Sequence, residues 1–116
     1  MPEAPLVELL WWRGCPSAER AIELVREEMA GLGLEPNALD VREVRDQGDA
    51  EHERFVGSPT IRVDGRDVQD PENEPLGLTC RVYRLRDGRV SALPDRADVQ
   101  AALAAAIQEE GKRGRG

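Results

Sequence analysis

The chain has 116 residues, the size of a single domain with a buried core. Its net charge of −7 argues against nucleic acid as a main partner, because nucleic-acid-binding proteins neutralise phosphates with Lys and Arg. No run reaches the length of a membrane-spanning helix, and the N-terminus lacks the basic start and cleavage site of a signal peptide, so we expect a cytoplasmic protein without a membrane partner.

The first predicted element is a buried strand. Leu6 to Trp12 is apolar apart from Glu8, and this near-absence of alternation is typical of a strand covered on both faces. The two tryptophans, Trp11 and Trp12, should point to opposite faces of it. Arg13-Gly14 then predicts a turn.

A helix should begin directly after this turn. Pro16 has the fixed φ that suits the first helical position, and apolar residues at spacings of three and four continue the helix to about Ala30, before Gly31. Cys15 therefore lies at a helix N-terminus, where amide N–H groups and the helix dipole stabilise a thiolate. The alternative is a buried structural thiol, since free cysteine is among the most buried residue types.

The middle of the chain predicts two further strands and a short helix. Alternation in residues 38–44 predicts a half-buried strand, which completes a right-handed βαβ unit. Asp46–Arg54 predicts a modest helix with Asp49 as its N-cap. Thr60–Val63 predicts a strand, followed by a tight turn and a returning strand at Arg66–Val68.

The last third predicts a loop, an ambiguous segment and a helix. Asp70–Gly77 holds two prolines and three acids and should be a loop, whereas the pattern of Leu78–Leu85 fits a helix and a strand equally well. Arg89–Leu93 should be a strand. Asp95 caps a final helix that should end at Gly111, which leaves residues 111–116 as a flexible tail.

Together these features resemble the thioredoxin superfamily. The resemblance covers roughly residues 6–110 and is carried by the order β-α-β-α-β-β-α, by Cys15 at the first helix, and by Ser58-Pro59-Thr60 before the third strand. It implies one α/β domain over residues 1–116, a mixed central sheet and helices on both faces. The short hairpin after Thr60 is more similar to glutaredoxins, which implies glutathione as a co-substrate and no other cofactor.

Three motifs also resemble a group of small bacterial thioredoxin-like proteins. These are Gly-Cys-Pro at residues 14–16, Gly-Ser-Pro-Thr at 57–60 and Gly-Leu-Thr-Cys-Arg-Val-Tyr at 77–83. The last motif is similar to sequences associated with organomercurial lyases.

The resemblance also implies a set of site residues. Pro59 matches the cis-proline of the superfamily and would pack against Cys15, and the backbone of Ser58 would hold a partner chain. The implied substrate-binding residues are Trp12, Gly14, Pro16, Ser17, Ser58, Pro59 and Thr60.

The sequence departs from the family at its second thiol. The family motif is Cys-x-x-Cys, but Ala18 stands at the second position, so the usual resolving thiol is missing. In a thioredoxin-like sheet the fourth strand ends at the active-site edge, and Cys80 follows Val68 by about a dozen residues, enough to reach Cys15. We therefore expect Cys80 to be its resolving partner or a second soft ligand. The alternative is that Cys80 puts a small apolar group into the core.

Three functions follow from these interpretations. The first is a thiol-disulfide oxidoreductase in which Cys15 attacks a protein or small-molecule disulfide and Cys80 or glutathione resolves the mixed disulfide. The second is a binding protein for a soft metal or an organomercurial, held by Cys15 and Cys80. The third is a redox-inactive interaction module on the same fold. His52 lies in a run of acids and bases and should be solvated, so a closed zinc site is not expected.

Overall fold

The computed structural model describes residues 4–71 and 74–113, with side chains described as far as residue 109. It forms six strands, three α-helices and one 3₁₀ turn within that part of the chain. In chain order these are β1 (Val7–Trp11), α1 (Ala18–Gly31), the 3₁₀ turn (Pro36–Ala38), β2 (Asp40–Glu43), α2 (Gln47–Glu53), β3 (Thr60–Val63), β4 (Arg66–Asp67), β5 (Tyr83–Arg84), β6 (Val90–Ser91) and α3 (Arg96–Arg113).

The main sheet is mixed and has β1 near its centre. Its strand order is β2-β1-β3-β4, with β1 parallel to β2 and antiparallel to β3, and with β3 antiparallel to β4. Leu9 pairs with Val41 on one side and with Ile61 on the other. Strands β5 and β6 form a separate two-stranded sheet. The chain is thus an α/β protein whose central strand leads directly into Cys15.

Successive residues of β1 supply two cores, because side chains alternate across a strand. Val7 and Leu9 pack with α1 and α3 in the larger core, to which Trp11 adds its ring. Leu10 packs on the other face in a smaller cluster with α2. Helices therefore cover both faces of the sheet. Truncation of a buried Leu, Ile or Met of these cores to Ala costs on the order of 2–5 kcal/mol.

The end of α2 fixes the approach to β3. Arg54 ends the helix with a left-handed φ of 55°, and the N–H of Phe55 donates to the carbonyl of Ala50 at 2.8 Å. Arg62 of β3 donates from Nη2 to the last carbonyls of the helix, those of Glu53 and Arg54. Phe55 is fully buried, so the chain that follows is held against the sheet as it turns into β3.

Several predicted boundaries differ from the structure. Helix α1 begins at Ala18, after Ser17, because residues 15–17 still form the turn out of β1. The N-cap of α2 is Asp46, whose carboxylate accepts from the N–H of Asp49 at 2.8 Å; Asp49 itself lies in the first turn. The final helix passes the predicted stop at Gly111 and reaches Arg113, while residues 114–116 of the predicted tail lie outside the described residues.

The ambiguous segment at Leu78–Leu85 is extended. Cys80 forms an isolated bridge and Tyr83–Arg84 forms β5, so the helical interpretation is wrong. The predicted strand at Arg89–Leu93 shortens to Val90–Ser91, its partner in the small sheet. Among the described helices, none is long and apolar enough to cross a membrane.

Candidate functional site

Cys15 lies in the tight turn between β1 and α1. Its N–H donates to the carbonyl of Trp12 at 3.0 Å, and the carbonyl of Ser17 accepts from the N–H of Ala21 at the start of the helix. Pro16, expected as the first helical residue, instead precedes the N-cap and is exposed. Cys15 is only 5% exposed, so its sulfur lies under the surface of the turn.

The surroundings of the Cys15 sulfur are polar. Its Sγ lies 3.3 Å from Oγ of Ser17 and 3.4 Å from the carbonyl oxygen of Ser58, which accepts a hydrogen bond from the thiol. The thiol of Cys80 lies near enough to the same sulfur for each cysteine to shift the pKa of the other. Although Cys15 is buried, it is not enclosed by hydrocarbon, because polar atoms of Ser17 and Ser58 contact its sulfur.

Cys80 is brought to this position by the backbone of Ser58. The N–H of Ser58 donates to the carbonyl of Thr79 at 2.8 Å, and the carbonyl of Ser58 accepts from the N–H of Arg81 at 2.9 Å. These two bonds place Cys80 opposite Ser58 in a parallel bridge. Cys80 itself is exposed, in contrast to Cys15. The structure therefore brings the two cysteines of the chain together, 65 positions apart in the sequence.

The two thiols differ in pKa. Burial raises the pKa of Cys15, but hydrogen bonds from Cys80, Ser17 and Ser58 together outweigh it and bring this pKa below the ordinary value of 9.0. The hydrogen bond to Cys15 raises the pKa of Cys80 to about 11, with burial and repulsion from the neighbouring thiolate acting in the same direction. As the pH rises, Cys15 therefore loses its proton before Cys80 does.

A buried ion pair holds the segment that carries Cys80. Arg81 is 7% exposed, and it donates from Nη1 to the carboxylate of Asp67 at 2.6 Å and from Nη2 to the carbonyl of Gln69 at 2.5 Å. Its guanidinium also lies 4.4 Å from the centre of the Tyr83 ring. Because Asp67 belongs to β4, Arg81 ties the segment to the edge of the main sheet.

Tyr83 makes a second tie, to the proline of the site. The Ser58–Pro59 bond is cis, and the carbonyl of Pro59 accepts from the hydroxyl of Tyr83 at 2.5 Å. Tyr83 is fully buried, and this burial raises its pKa, so the hydroxyl remains a donor. Gly57 completes the fit, because a Cβ built on it would lie 2.9 Å from Cβ of Arg81.

The predicted substrate-binding residues do not form one open surface. Gly14 and Pro16 are exposed, and the half-buried Trp12 lays its ring over Gly14, where a Cβ would approach the ring to 2.3 Å. Thr60 is fully buried and donates to the carbonyl of Gly57 at 2.6 Å, so its hydroxyl serves the turn around Pro59. Ser17 is buried, and its hydroxyl contacts the sulfur of Cys15.

In this structure the backbone of Ser58 is not free to hold a partner chain, the role expected for it from the sequence. Its N–H and carbonyl are both engaged by the chain's own residues Thr79 and Arg81. Its hydroxyl accepts from the N–H of Trp12 at 3.0 Å, which ties the bridge to the end of β1. The backbone edge beside Pro59 is thus already paired with the segment Thr79–Arg81 of the same chain.

Sequence reasoning missed the residues that fix this segment. The sequence motif suggests that Arg81 and Tyr83 either orient an anionic or sulfur ligand or lie at the surface, but the buried ion pair of Arg81 with Asp67 has no local signal. His52 is exposed on α2, as expected for a solvated helix face. Within residues 4–71 and 74–113, no group of three or more His, Cys, Asp and Glu side chains is arranged to hold a metal ion.

Comparison with protein-family models, with curated proteins and with solved structures finds no match to this chain. The geometry of the site is therefore the basis for any functional assignment.

Proposed function

We propose that this protein is a thiol-disulfide oxidoreductase of the thioredoxin-like type, with Cys15 and Cys80 as its redox pair. The fold supports the proposal through the strand order β2-β1-β3-β4, helices on both faces, and a cysteine in the loop that joins β1 to the first helix. The cis bond before Pro59 lies beside that cysteine through Ser58. Ala18 stands where the Cys-x-x-Cys motif has its second cysteine, and in this proposal Cys80 supplies the second thiol instead.

The observation that carries the proposal is that both cysteines lie against Ser58: Sγ of Cys15 lies 3.4 Å from the carbonyl oxygen of Ser58, and Cys80 is paired with Ser58 in a parallel bridge. The thiolate is the attacking species in disulfide exchange, and the lowered pKa of Cys15 increases its population near neutral pH. A disulfide needs Cβ atoms about 3.5–4.5 Å apart, and the placement of both cysteines against Ser58 is the arrangement that lets them meet.

The reaction exchanges two electrons. Cys15 attacks either an external disulfide or a mixed disulfide already carried by Cys80, and in both cases the pair ends as a Cys15–Cys80 disulfide. The external disulfide is cleaved to one thiol, which takes the proton lost by Cys80, and one thiolate. An external thiol such as glutathione restores the reduced pair and is itself oxidised.

A redox titration tests this function. The protein is equilibrated in mixtures of reduced and oxidised glutathione, free thiols are alkylated, and tryptic peptides are mapped. We expect a reversible transition between two alkylated cysteines and a linked Cys15–Cys80 peptide, and no such peptide from Cys15→Ser or Cys80→Ser. If wild type gives only separate glutathione adducts at every ratio, the proposal is wrong.

A second candidate function is capture of a soft metal ion or an organomercurial between the same two sulfurs. The adjacency of Cys15 and Cys80 favours it, because two thiolates suit linear coordination of a soft ion. Mass spectrometry with Hg(II) should show one tightly held ion in wild type and weaker retention in Cys80→Ser. Equal retention in the variant excludes a two-thiolate site.

The third alternative is an interaction module without redox chemistry, and it differs from the other two in the pKa expected for Cys15. A Cys15 pKa at or above the usual value of about 8.5, measured from the pH dependence of iodoacetamide alkylation, would favour this alternative.

A further inference from the structure

The two sulfurs of the pair differ sharply in access. Cys15 is 5% exposed, beneath the turn that leads into α1 and in contact with Ser17 and Ser58. Cys80 is exposed and lines a cavity of about 480 Å³, whose other lining residues include Gln69, Thr79, Val82, Tyr83 and Val90. Exchange at sulfur requires the attacking atom to approach in line with the bond that breaks. An attacker reaches Cys80 from solvent, whereas at Cys15 the fold covers the sulfur.

The backbone edge beside the pair is also closed to a partner chain. Thr79 and Arg81 engage both the N–H and the carbonyl of Ser58, and the ion pair of Arg81 with Asp67 holds them there. A polypeptide cannot add itself to this edge as an extended strand without displacing the segment. A small thiol needs no such pairing, because it can reach Cys80 through the cavity.

We infer that a low-molecular-mass thiol opens the oxidised pair by attack on Cys80, so that the mixed disulfide forms on Cys80 and Cys15 is released. This inference rests on the proposed function and sets its order of steps. The external thiolate forms a bond to Sγ of Cys80, the Cys15–Cys80 bond breaks, and Cys15 leaves with the electron pair. A second thiolate then attacks the external sulfur, which gives a small disulfide and a Cys80 thiolate that takes a proton from water.

The electrostatics of the pair agree with this direction. When Cys15 leaves as a thiolate, its sulfur lies 3.3 Å from Oγ of Ser17, which can donate a hydrogen bond to it, and a leaving sulfur stabilised in this way departs more readily. By microscopic reversibility, oxidation of the pair by a small disulfide passes through the same mixed disulfide on Cys80. Cys15 is then the nucleophile of the internal step, and Cys80 is the residue that meets the external molecule.

The test locates the mixed disulfide. The oxidised wild-type protein is treated with excess 2-mercaptoethanol and quenched with acid at early times. Its free thiol is labelled with N-ethylmaleimide, and its peptides are mapped. We expect the mercaptoethanol adduct on Cys80 and the maleimide on Cys15, in a ratio of about ten or more. An adduct mainly on Cys15, or shared equally, overturns the inference.

Single-cysteine variants give an independent measure of access. Cys15→Ala and Cys80→Ala are each reacted with bis(2-hydroxyethyl) disulfide, and the rate per thiolate is compared between native and urea-unfolded protein. We expect native Cys80 to react about as fast as in the unfolded chain and native Cys15 to be slowed about tenfold or more. Equal slowing at both positions contradicts the inference. Because each rate is expressed per thiolate, differences in thiolate population between native and unfolded protein do not affect the comparison.

A size comparison tests the class of partner. At equal thiolate concentration, a reduced, unfolded protein with one cysteine should open the oxidised pair about tenfold more slowly than 2-mercaptoethanol. Equal rates would show that the closed edge does not select small thiols. These outcomes are distinct from failure of the proposed function, since that failure appears earlier, as the absence of any Cys15–Cys80 disulfide.

Discussion

Replacing Arg81 with Met tests whether the buried ion pair holds the second thiol in place. Met keeps an apolar stem of similar length but leaves the carboxylate of Asp67, whose side chain is 11% exposed, without its cation. Breaking a buried pair by removing one partner costs about 3–5 kcal/mol, because the remaining charge is uncompensated. The loss of the hydrogen bond to Gln69 adds to this cost. We expect Arg81→Met to lower the free energy of unfolding in urea by about 3 kcal/mol.

The matched control is Arg86→Met. Arg86 is 58% exposed and pairs with Asp98 at 2.8 Å, so its loss should cost less than about 1 kcal/mol. Adding Asp67→Asn to Arg81→Met removes the orphaned charge and should recover part of the lost stability. If Arg81→Met costs no more than Arg86→Met, the ion pair does not hold the segment, and the reasoning is refuted.

Three further predictions concern the same segment and its sulfur. Gly57→Ala should lower the free energy of unfolding by about 1–3 kcal/mol, because Gly57 has a φ of +142° and its new Cβ would meet Arg81; Gly65→Ala, with a φ of +82° and no atom within 4 Å, should cost less. Cys80→Ala should raise the pKa of Cys15 towards 9.0 by removing a donor, as read from iodoacetamide rates against pH; no change would contradict the hydrogen bond. The pKa of Cys15 in the folded protein lies below 9.0, so the reduced protein should gain stability from Cys15 as the pH rises towards 9.0. The pKa of Cys80 is raised to about 11, so the stability that Cys80 contributes should be lost between pH 9.0 and about 11. Urea midpoints measured against a variant with both cysteines replaced by Ala should therefore pass through a maximum near pH 9, and a flat difference would refute the coupling.

The local elements of the site could be predicted from the sequence because their signals are local. The apolar run before Arg13 predicts β1, and the turn residues Asp64-Gly65 predict the hairpin, whose first strand has the predicted bounds Thr60–Val63. After the turn the apolar residues recur at spacings of three and four, as in a helix, and this change places Cys15 next to a helix N-terminus. The helix itself starts two residues later than predicted, at Ala18, since Pro16 suits the turn as well as the first helical position.

The arrangement around Cys80 could not be predicted in the same way. Its segment satisfies the spacing of a helix and the composition of a strand, and the choice is made by hydrogen bonds from Ser58, 22 positions earlier in the chain. The ion pair of Arg81 with Asp67 joins two residues that are each typical of a solvated surface. The pairing of the Ser58 backbone with this segment depends on the extended conformation of the segment and on the ion pair. The closing of the edge beside Pro59 is therefore a result of long-range packing.

Titration of the two thiols in the reduced protein tests most directly whether Cys15 and Cys80 form one hydrogen-bonded pair. Thiolate absorbance at 240 nm, followed against pH, should rise in two separate steps, one below pH 9.0 from Cys15 and one near pH 11 from Cys80. Cys15→Ala should remove the first step and return the second towards 9.0. A single step near pH 9.0 for both thiols in wild type would mean that they titrate independently, and the redox pair proposed for this protein would lose its basis.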